Sequence, residues 1–170
     1  MTEGESMPVP AVHQLRFVAV TQDDPLAAPL LAELAIEYAV RYGAAVDRVL
    51  TWLRDYPADE FAAPGGALLI GLLNGEPVTG GAFRRFDNET AELKRIWTAG
   101  DQRRRGHAKA LLNELQTMIA ARGYRRIYLS TGDRQPEAEA LYLSLGYVRL
   151  DEPLPADGEV FPVAFLKELP

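Results

Sequence analysis

The first third of the chain begins with a weak strand pattern and continues with helical spacing. Residues 15–20 alternate only weakly between apolar and polar positions, and the turn sequence Thr-Gln-Asp-Asp-Pro that follows them predicts the end of a strand. Apolar residues then recur every four positions up to Gly43, which predicts an amphipathic helix that starts between Pro25 and Pro29. A second, shorter helix is predicted over residues 46–53, before Pro57. The apolar positions of the two helices are Leu30, Leu34, Tyr38, Tyr42, Val46, Val49, Leu50 and Leu53.

The middle of the chain contains three strand-like segments joined by turn sequences. An apolar run over residues 67–73 is followed by Asn74 and Gly75, which both tolerate a positive φ. This pair predicts a hairpin with a strand over residues 77–86. Residues 87–89 then turn the chain into a third strand over residues 91–98, so we expect an antiparallel meander.

The last part of the chain alternates between helix and strand. A long helix is predicted from Ala108 to Gly123, then a short buried strand over residues 127–131, and then a helix from Pro136 to Gly146. Two strands, over residues 147–150 and 160–166, end the fold. A strand, a helix and a strand in succession form a crossover that places two strands parallel. The sequence therefore predicts an α/β (α+β) fold with a mixed, mostly antiparallel sheet of six to seven strands and about four helices.

Composition narrows the possible functions. The 170 residues suit a single domain, which we expect over residues 14–170 after a flexible tail of residues 1–13. The absence of cysteine excludes disulfides, thiolate metal sites and a covalent acyl-cysteine mechanism. With only two histidines, His13 and His107, we expect no metal site.

A net charge of −6 argues against a surface devoted to nucleic acid. Without an apolar run of ~20 residues or a signal peptide, we expect a cytoplasmic protein that does not enter the membrane.

A basic turn lies between the third strand of the meander and the long helix. It reads Arg103-Arg-Arg-Gly-His-Ala108. Backbone N–H groups at a helix start and the helix dipole together favour an anion, and arginines add charge-assisted hydrogen bonds. Gly106 suits a position of positive φ or of close approach by a ligand. The turn predicts a pyrophosphate site, and the alternative is a solvated arginine loop.

Two motifs resemble those of one enzyme family. Arg103-x-x-Gly106-x-Ala108 resembles the phosphate-binding signature Arg/Gln-x-x-Gly-x-Gly/Ala of the GNAT superfamily of N-acetyltransferases. The segment Ala-Leu-Tyr-Leu-Ser-Leu-Gly-Tyr at residues 140–147 resembles that family's Leu-Tyr-x-x-x-Gly-Phe/Tyr motif. The predicted order of elements over residues 14–167 also follows the family. Two departures are Ala108, in place of the commoner second glycine, and Arg104, where glycine is frequent.

The resemblance implies acetyl-CoA as co-substrate. It implies a pantetheine path along the third meander strand and a pyrophosphate held by backbone N–H groups of the basic turn, with the side chain of His107 as a bystander. A strand N–H near Ile96 or Trp97 would polarise the acetyl carbonyl. The implied cofactor-binding positions are Ile96, Trp97, Thr98, Arg103, Arg104, Arg105, Gly106, His107, Ala108, Lys109 and Gln135.

Glu92 is the candidate general base. On a regular strand it shares one face with Lys94, Ile96 and Thr98, whereas Leu93 and Trp97 face the other way. The role calls for partial burial, and the carboxylate could act through one water. The alternative is a surface glutamate paired with Lys94 or Arg95.

Tyr142 matches the tyrosine that, in many members of the family, protonates the departing CoA thiolate. A phenol with its ordinary pKa near 10 can donate this proton at neutral pH. The alternative is an amphipathic ring at the boundary between helix and sheet.

The sequence therefore predicts an N-acetyltransferase that moves acetyl from acetyl-CoA to a primary amine in one ternary complex. The amine would belong to a small molecule, a peptide N-terminus or a lysine. Alternatives are a non-catalytic acyl-CoA-binding regulatory module and a nucleic-acid-binding protein, which the acidic balance opposes. Family analogy favours a homodimer through the terminal strands. Acidic residues near the first two helices favour a cationic acceptor, namely Glu33, Glu37, Asp47, Asp55, Asp59 and Glu60.

Overall fold

A computed structural model describes residues 15–132, 136–156 and 161–170. Seven strands form one sheet: β1 (Arg16–Ala19), β2 (Ala67–Leu73), β3 (Glu76–Arg85), β4 (Thr90–Thr98), β5 (Arg126–Thr131), β6 (Val148–Arg149) and β7 (Val163–Glu168). Four helices accompany them: α1 (Ala28–Tyr42), α2 (Val46–Asp55), α3 (His107–Ala121) and α4 (Pro136–Ser144). Short 3-10 helices span Pro25–Ala27, Ala58–Phe61 and Gly100–Gln102. None of the helices in these ranges is long and apolar enough to cross a membrane.

The strand order is β1-β2-β3-β4-β5-β7-β6. Strands β1 to β4 are consecutive antiparallel neighbours, β4 and β5 are parallel, and β7 pairs antiparallel with both β5 and β6. The predicted mixed, mostly antiparallel sheet with four helices is confirmed. The last strand was predicted over residues 160–166 but is observed over Val163–Glu168, and residue 160 lies outside the described ranges.

The hairpin between β2 and β3 forms as its turn sequence predicts. Asn74 and Gly75 have φ angles of 53° and 82°. Two successive residues of positive φ give a turn whose twist matches that of the flanking strands. The pairing of Leu73 with Glu76 places the turn at these two residues.

Each face of the sheet is covered by two helices. On the α1–α2 face, Leu30, Leu34 and Leu53 pack with strand residues that include Ile70. On the opposite α3–α4 face, a second apolar cluster is formed by strand and helix residues that include Phe83, Leu93, Leu111, Leu115, Ile127 and Tyr142. Each fully buried leucine contributes about 1.5–3 kcal/mol to folding, so both clusters stabilise the sheet that carries the site.

A bulge in β4 changes which side chains share a face. Ala82 pairs with Lys94 and Gly80 pairs with Trp97, so two β4 residues lie opposite the one residue Gly81. The first of these two, Arg95, has a φ of 58°. A bulge inserts an extra residue and breaks the alternation of the strand.

The prediction of which β4 side chains share a face is therefore partly wrong. Trp97 packs in the cluster of the α1–α2 face, together with Ala82, the partner of Lys94. Ile96 packs against the cluster of the α3–α4 face. Glu92 and Lys94 lie on the same face of the sheet, as predicted. Trp97 also lies on that face, whereas Ile96 lies on the other.

The sheet opens between β4 and β5. Their pairing comprises three residue pairs and ends with Glu92 opposite Tyr128. Strand β4 continues to Thr98 and β5 continues to Thr131. The two strands therefore separate just beyond the candidate base.

Candidate active site

A cavity of about 600 Å³ lies at the gap between β4 and β5. Strands β3, β4 and β5 supply its floor, and helices α1, α2 and α4 supply part of its walls. Glu92 and Tyr142 both line it, together with Tyr38, Arg84 and Lys94. The structure therefore brings both candidate catalytic residues to one cavity, although they lie fifty positions apart in the chain.

Glu92 is buried, with 4% of its surface exposed. Its Oε1 accepts a hydrogen bond from Nε of Arg84 at 2.8 Å and lies 3.8 Å from Nζ of Lys94. Nη1 of Arg84 also donates to Oε2 of Glu60 at 3.1 Å, and the hydroxyl of Tyr56 donates to the same Glu60 oxygen. Glu92 is thus not a surface glutamate: it is held from the neighbouring strand by an arginine that the sequence did not single out.

The charge of Glu92 also acts on the groups around it. Burial alone would lower the pKa of Arg84, but the hydrogen bond and the charge of Glu92 raise it above its ordinary value. Burial lowers the pKa of Lys94, and the nearby Glu92 opposes that shift. Both cations contact Oε1, so the other oxygen of the carboxylate is the one available to a substrate or a water.

Arg95 is a buried cation beside this pair, with 8% of its surface exposed. Its guanidinium donates to the carbonyl oxygen of Leu53 at 2.8 Å and to Oε1 of Gln22 at 3.0 Å. The rings of Tyr56 and Phe61 lie 5.2 and 4.9 Å from it. Burial lowers its pKa, and within the described part of the chain it has no carboxylate partner.

Tyr142 lies on α4 at the opposite side of the gap. Its ring is 5.7 Å from that of Tyr147 and 5.5 Å from that of Phe165, and 7% of its surface is exposed. Burial, with a smaller contribution from Tyr38, raises the pKa of Tyr142 to about 12. Its phenol is therefore protonated at neutral pH, which is the form that can donate a proton.

The basic turn ends in the N-terminus of α3. Gly106 precedes the helix with a φ of 82°, and no side chain of the described residues caps its first turn. Helix N-terminal N–H groups without an internal partner are available to an anion. Arg104 also has a positive φ, 64°, at the position where the family often has glycine. The exposed side chain of Arg104 lies 3.0 Å from Glu137 on α4.

The remaining candidate cofactor-binding positions lie in different surroundings. The side chain of Trp97 is buried, and its indole donates to Oε2 of Glu33 at 2.6 Å. Oγ1 of Thr98 lies 3.2 Å from Oγ1 of Thr79. Ile96 lines the cavity, His107 is buried with a pKa lowered first by burial and then by Arg105, and Gln135 lies outside the described residues.

Comparisons with known proteins support the fold and the two motifs. The sequence matches the family model "Acetyltransferase (GNAT) family" over residues 31–147. The chain belongs to the GNAT family of acetyltransferases. The Escherichia coli (strain K12) protein "Uncharacterized N-acetyltransferase YjgM" is 30% identical to it over 156 residues, which are 87% of this chain and 90% of that protein. Membership in this GNAT family confirms the prediction of an acyl-CoA-dependent acetyltransferase.

Solved structures share the fold at low sequence identity. A GNAT acetyltransferase from Staphylococcus aureus Mu50 superposes with a TM-score of 0.75 at 17% identity, over 92% of this chain and 100% of that one. A GNAT acetyltransferase from Elizabethkingia anophelis, with acetyl-CoA bound, has a TM-score of 0.63 at 20% identity, over 91% and 98%. The PaiA N-acetyltransferase of Thermoplasma acidophilum, in complex with coenzyme A, has a TM-score of 0.68 at 13% identity, over 92% and 99%.

Proposed function

We propose that this GNAT protein transfers the acetyl group of acetyl-CoA directly to a primary amine within one ternary complex. The observation that carries the proposal is the cavity at the gap in the sheet, where a buried carboxylate and a buried phenol line the same space. The uncapped start of α3 lies after the same strand that supplies the carboxylate. The solved relatives that contain acetyl-CoA or coenzyme A support this choice of donor.

The cofactor is held chiefly by backbone groups. N–H groups of residues 104–109 bind the pyrophosphate, and Gly106 in its left-handed conformation turns the chain into α3. The exposed arginines 103–105 add positive charge. Pantetheine follows residues 96–98, where the side chain of Trp97 is already engaged with Glu33. Gln135 remains a predicted contact of the cofactor.

Glu92 accepts the proton of the acceptor amine, directly or through a water, with the oxygen that Arg84 does not hold. The amine nitrogen then attacks the thioester carbon, and an N–H at the β4 bulge near Ile96 or Trp97 stabilises the negative oxygen that forms. The C–S bond breaks as the amide forms. The nitrogen loses its second proton to solvent as the amide forms. Tyr142 donates its proton to the departing thiolate and recovers one from Glu92 through solvent, so the products are the N-acetyl amine, CoA thiol and one released proton.

The direct test combines binding with turnover. Isothermal titration with acetyl-CoA should show one site per chain, and a panel of amines should include substrates that release CoA thiol. Initial rates at varied concentrations of both substrates should give intersecting lines in double-reciprocal plots, as a ternary complex requires. Parallel lines would contradict direct transfer. Acetyl-CoA binding without turnover for any amine would point instead to a non-catalytic acyl-CoA-binding module.

A further inference from the structure

Among the described residues, more cations than carboxylates line the cavity. Its lining includes four cations, Arg41, Arg84, Lys94 and Arg95, and three carboxylates, Glu37, Glu60 and Glu92. Arg41 pairs with Glu37, while Arg84 pairs with both Glu60 and Glu92. The three carboxylates are therefore paired with two arginines, and Lys94 and Arg95 give the described part of the lining one positive charge in excess.

The acidic residues that favoured a cationic acceptor in the sequence are either already paired in the structure or lie outside the cavity. Oε2 of Glu33 accepts the hydrogen bond of the Trp97 indole. Glu37 and Glu60 are in ion pairs with arginines. The aspartates on which that expectation was based do not line the cavity, namely Asp47, Asp55 and Asp59.

Lys94 and Arg95 differ in what they can reach. The side chain of Lys94 is 31% exposed, and its ammonium lies 3.8 Å from a Glu92 oxygen that Arg84 already holds at 2.8 Å. Arg95 is fixed by two neutral hydrogen-bond acceptors and two aromatic rings. Lys94 is thus the cation that can bind an anionic group in the cavity, and Arg95 adds a fixed positive field next to it.

We infer that the acceptor is an amine with a carboxylate on the adjacent carbon, that is, a free α-amino acid, whose carboxylate binds Lys94 while its amine faces Glu92. This inference rests on the proposed N-acetyl transfer. In an α-amino acid the nitrogen and the nearer carboxylate oxygen are roughly 3 Å apart, from standard bond lengths. The ammonium of Lys94 lies 3.8 Å from the nearer oxygen of the Glu92 carboxylate, so the two side chains are close enough to contact both ends of one α-amino acid.

The walls of the cavity also indicate a suitable side chain for the amino acid. Rings of Tyr38, Trp52 and Phe161 line the cavity, together with Leu34. Such walls suit an apolar or aromatic side chain. L-phenylalanine and L-leucine are therefore the first probes.

The test compares matched pairs that differ in the carboxylate alone: L-phenylalanine with 2-phenylethylamine, and L-leucine with 3-methylbutylamine. Rates of CoA release are compared at equal concentrations of unprotonated amine. We expect kcat/KM to be about 10-fold or more higher for each amino acid, because a charge-assisted bond is lost in its partner. The variant Lys94→Gln should bring this ratio close to one, and Lys94→Arg should restore part of it. Arg48→Gln, at an exposed position outside the cavity, makes the same change in net charge and should keep the wild-type ratio.

Each outcome separates the inference from the proposed function. Equal or reversed kcat/KM values within both pairs would overturn the amino acid assignment and leave N-acetyl transfer intact. A ratio that survives Lys94→Gln would overturn the role of Lys94. No CoA release with any amine would overturn the proposed function and the inference with it. Inhibition of the wild-type enzyme needs no variant: N-acetyl-L-phenylalanine should inhibit about 10-fold more strongly than N-(2-phenylethyl)acetamide, and equal inhibition would count against the inference.

Discussion

Nε of Arg84 lies 2.8 Å from Oε1 of Glu92, and the two residues are directly opposed on the antiparallel strands β3 and β4. The same guanidinium holds Glu60, which follows α2, at 3.1 Å. The position of the candidate base is therefore set by a cross-strand pair within the sheet, and the region after α2 is tied to the same arginine. Sites built on strands hold side chains more rigidly than sites built on loops.

Replacing Glu92 by glutamine tests its role as base. The amide has nearly the same shape and can still accept the hydrogen bond of Arg84, but it cannot take up the proton of an amine. We expect kcat at neutral pH to fall about 10²–10⁴-fold, with acetyl-CoA affinity within about twofold of wild type. The residual rate should increase with pH as more of the amine loses its proton in solution. A control is Glu89→Gln, at an exposed ion pair that does not line the cavity. Full activity of Glu92→Gln at every pH would exclude Glu92 as the base.

Removing Arg84 should destabilise the protein. In Arg84→Gln the buried Glu92 loses its close partner and keeps a lysine at 3.8 Å. A buried group left without its hydrogen bond costs about 1–3 kcal/mol of unfolding free energy. The comparison is Arg149→Gln, which removes a more exposed ion pair with Glu139 and should cost about 0.5 kcal/mol or less. Urea denaturation measures both, and equal losses would contradict the structural role of Arg84.

Tyr142→Phe tests the phenol while it keeps the ring. The contacts of Tyr142 in the described chain are made by its ring, with Tyr147 and Phe165. We expect unfolding free energy within about 1 kcal/mol of wild type and a kcat lower by about 10- to 100-fold. Tyr147→Phe is the matched control, because Tyr147 is also buried but does not line the cavity. Equal activities of the two variants would remove Tyr142 from the acid role.

The pKa of Tyr142 also has a consequence for stability at high pH. The pKa is raised from 10 in the unfolded chain to about 12 by burial. Below pH 10 the phenol is protonated in both states and adds no pH dependence. Between pH 10 and 12 the unfolded chain releases the proton while the native state keeps it, so stability falls as pH rises.

In Tyr142→Phe this fall should be shallower by about 1 kcal/mol per pH unit at most. Denaturation of both proteins at pH 9, 10 and 11 measures the difference, in which the contributions of the other tyrosines cancel. Identical pH dependence would mean that Tyr142 ionises as freely as in the unfolded chain.

Two glycines with the same backbone conformation allow the cofactor site to be tested separately from strain. Gly106 and Gly123 have φ angles of 82° and 89°, and a Cβ on either would meet no atom within 4 Å. Alanine at each position should cost about 1 kcal/mol of unfolding free energy. Acetyl-CoA affinity, measured by calorimetry, should fall about 10-fold or more for Gly106→Ala alone, because its Cβ would stand in the path of the pyrophosphate. Equal affinities of the two variants would contradict an anion site at this turn.

Local signals predicted the elements well because each depends on neighbouring residues. The Asn74-Gly75 turn and the helix end at Gly43 are examples, both with positive φ. The bulge at Arg95 is a backbone event, and it reversed the expected sides of Ile96 and Trp97. The sequence signal for this bulge was the pair Gly80-Gly81 inside the neighbouring strand, because glycine within a strand often marks a bulge. In the structure a Cβ on Gly81 would lie 2.5 Å from Cδ1 of Ile96.

The sequence named two candidate catalytic residues, whose roles remain predictions, but it did not name the groups that surround them. Glu92 and Tyr142 were identified through motifs and strand position, and they do line one cavity. Arg84 was missed because a cross-strand pair depends on register. The turn at residues 87–89 indicates that register, because residues 84 and 92 are the same number of positions from Asn88 at its centre. The excess positive charge of the described lining includes Arg95, which lies at the bulge and was therefore not expected there.

The three residue pairs that join β4 to β5 also divide the sheet into two halves, β1 to β4 and β5 to β7. They form the line along which the two halves are joined. Glu92 lies on that line, as its last pair with Tyr128. Beyond Glu92 the two strands are not paired with each other up to their ends at Thr98 and Thr131. The candidate base is therefore anchored where the sheet is still continuous, while the cavity lies beside the strand ends that do not pair with each other.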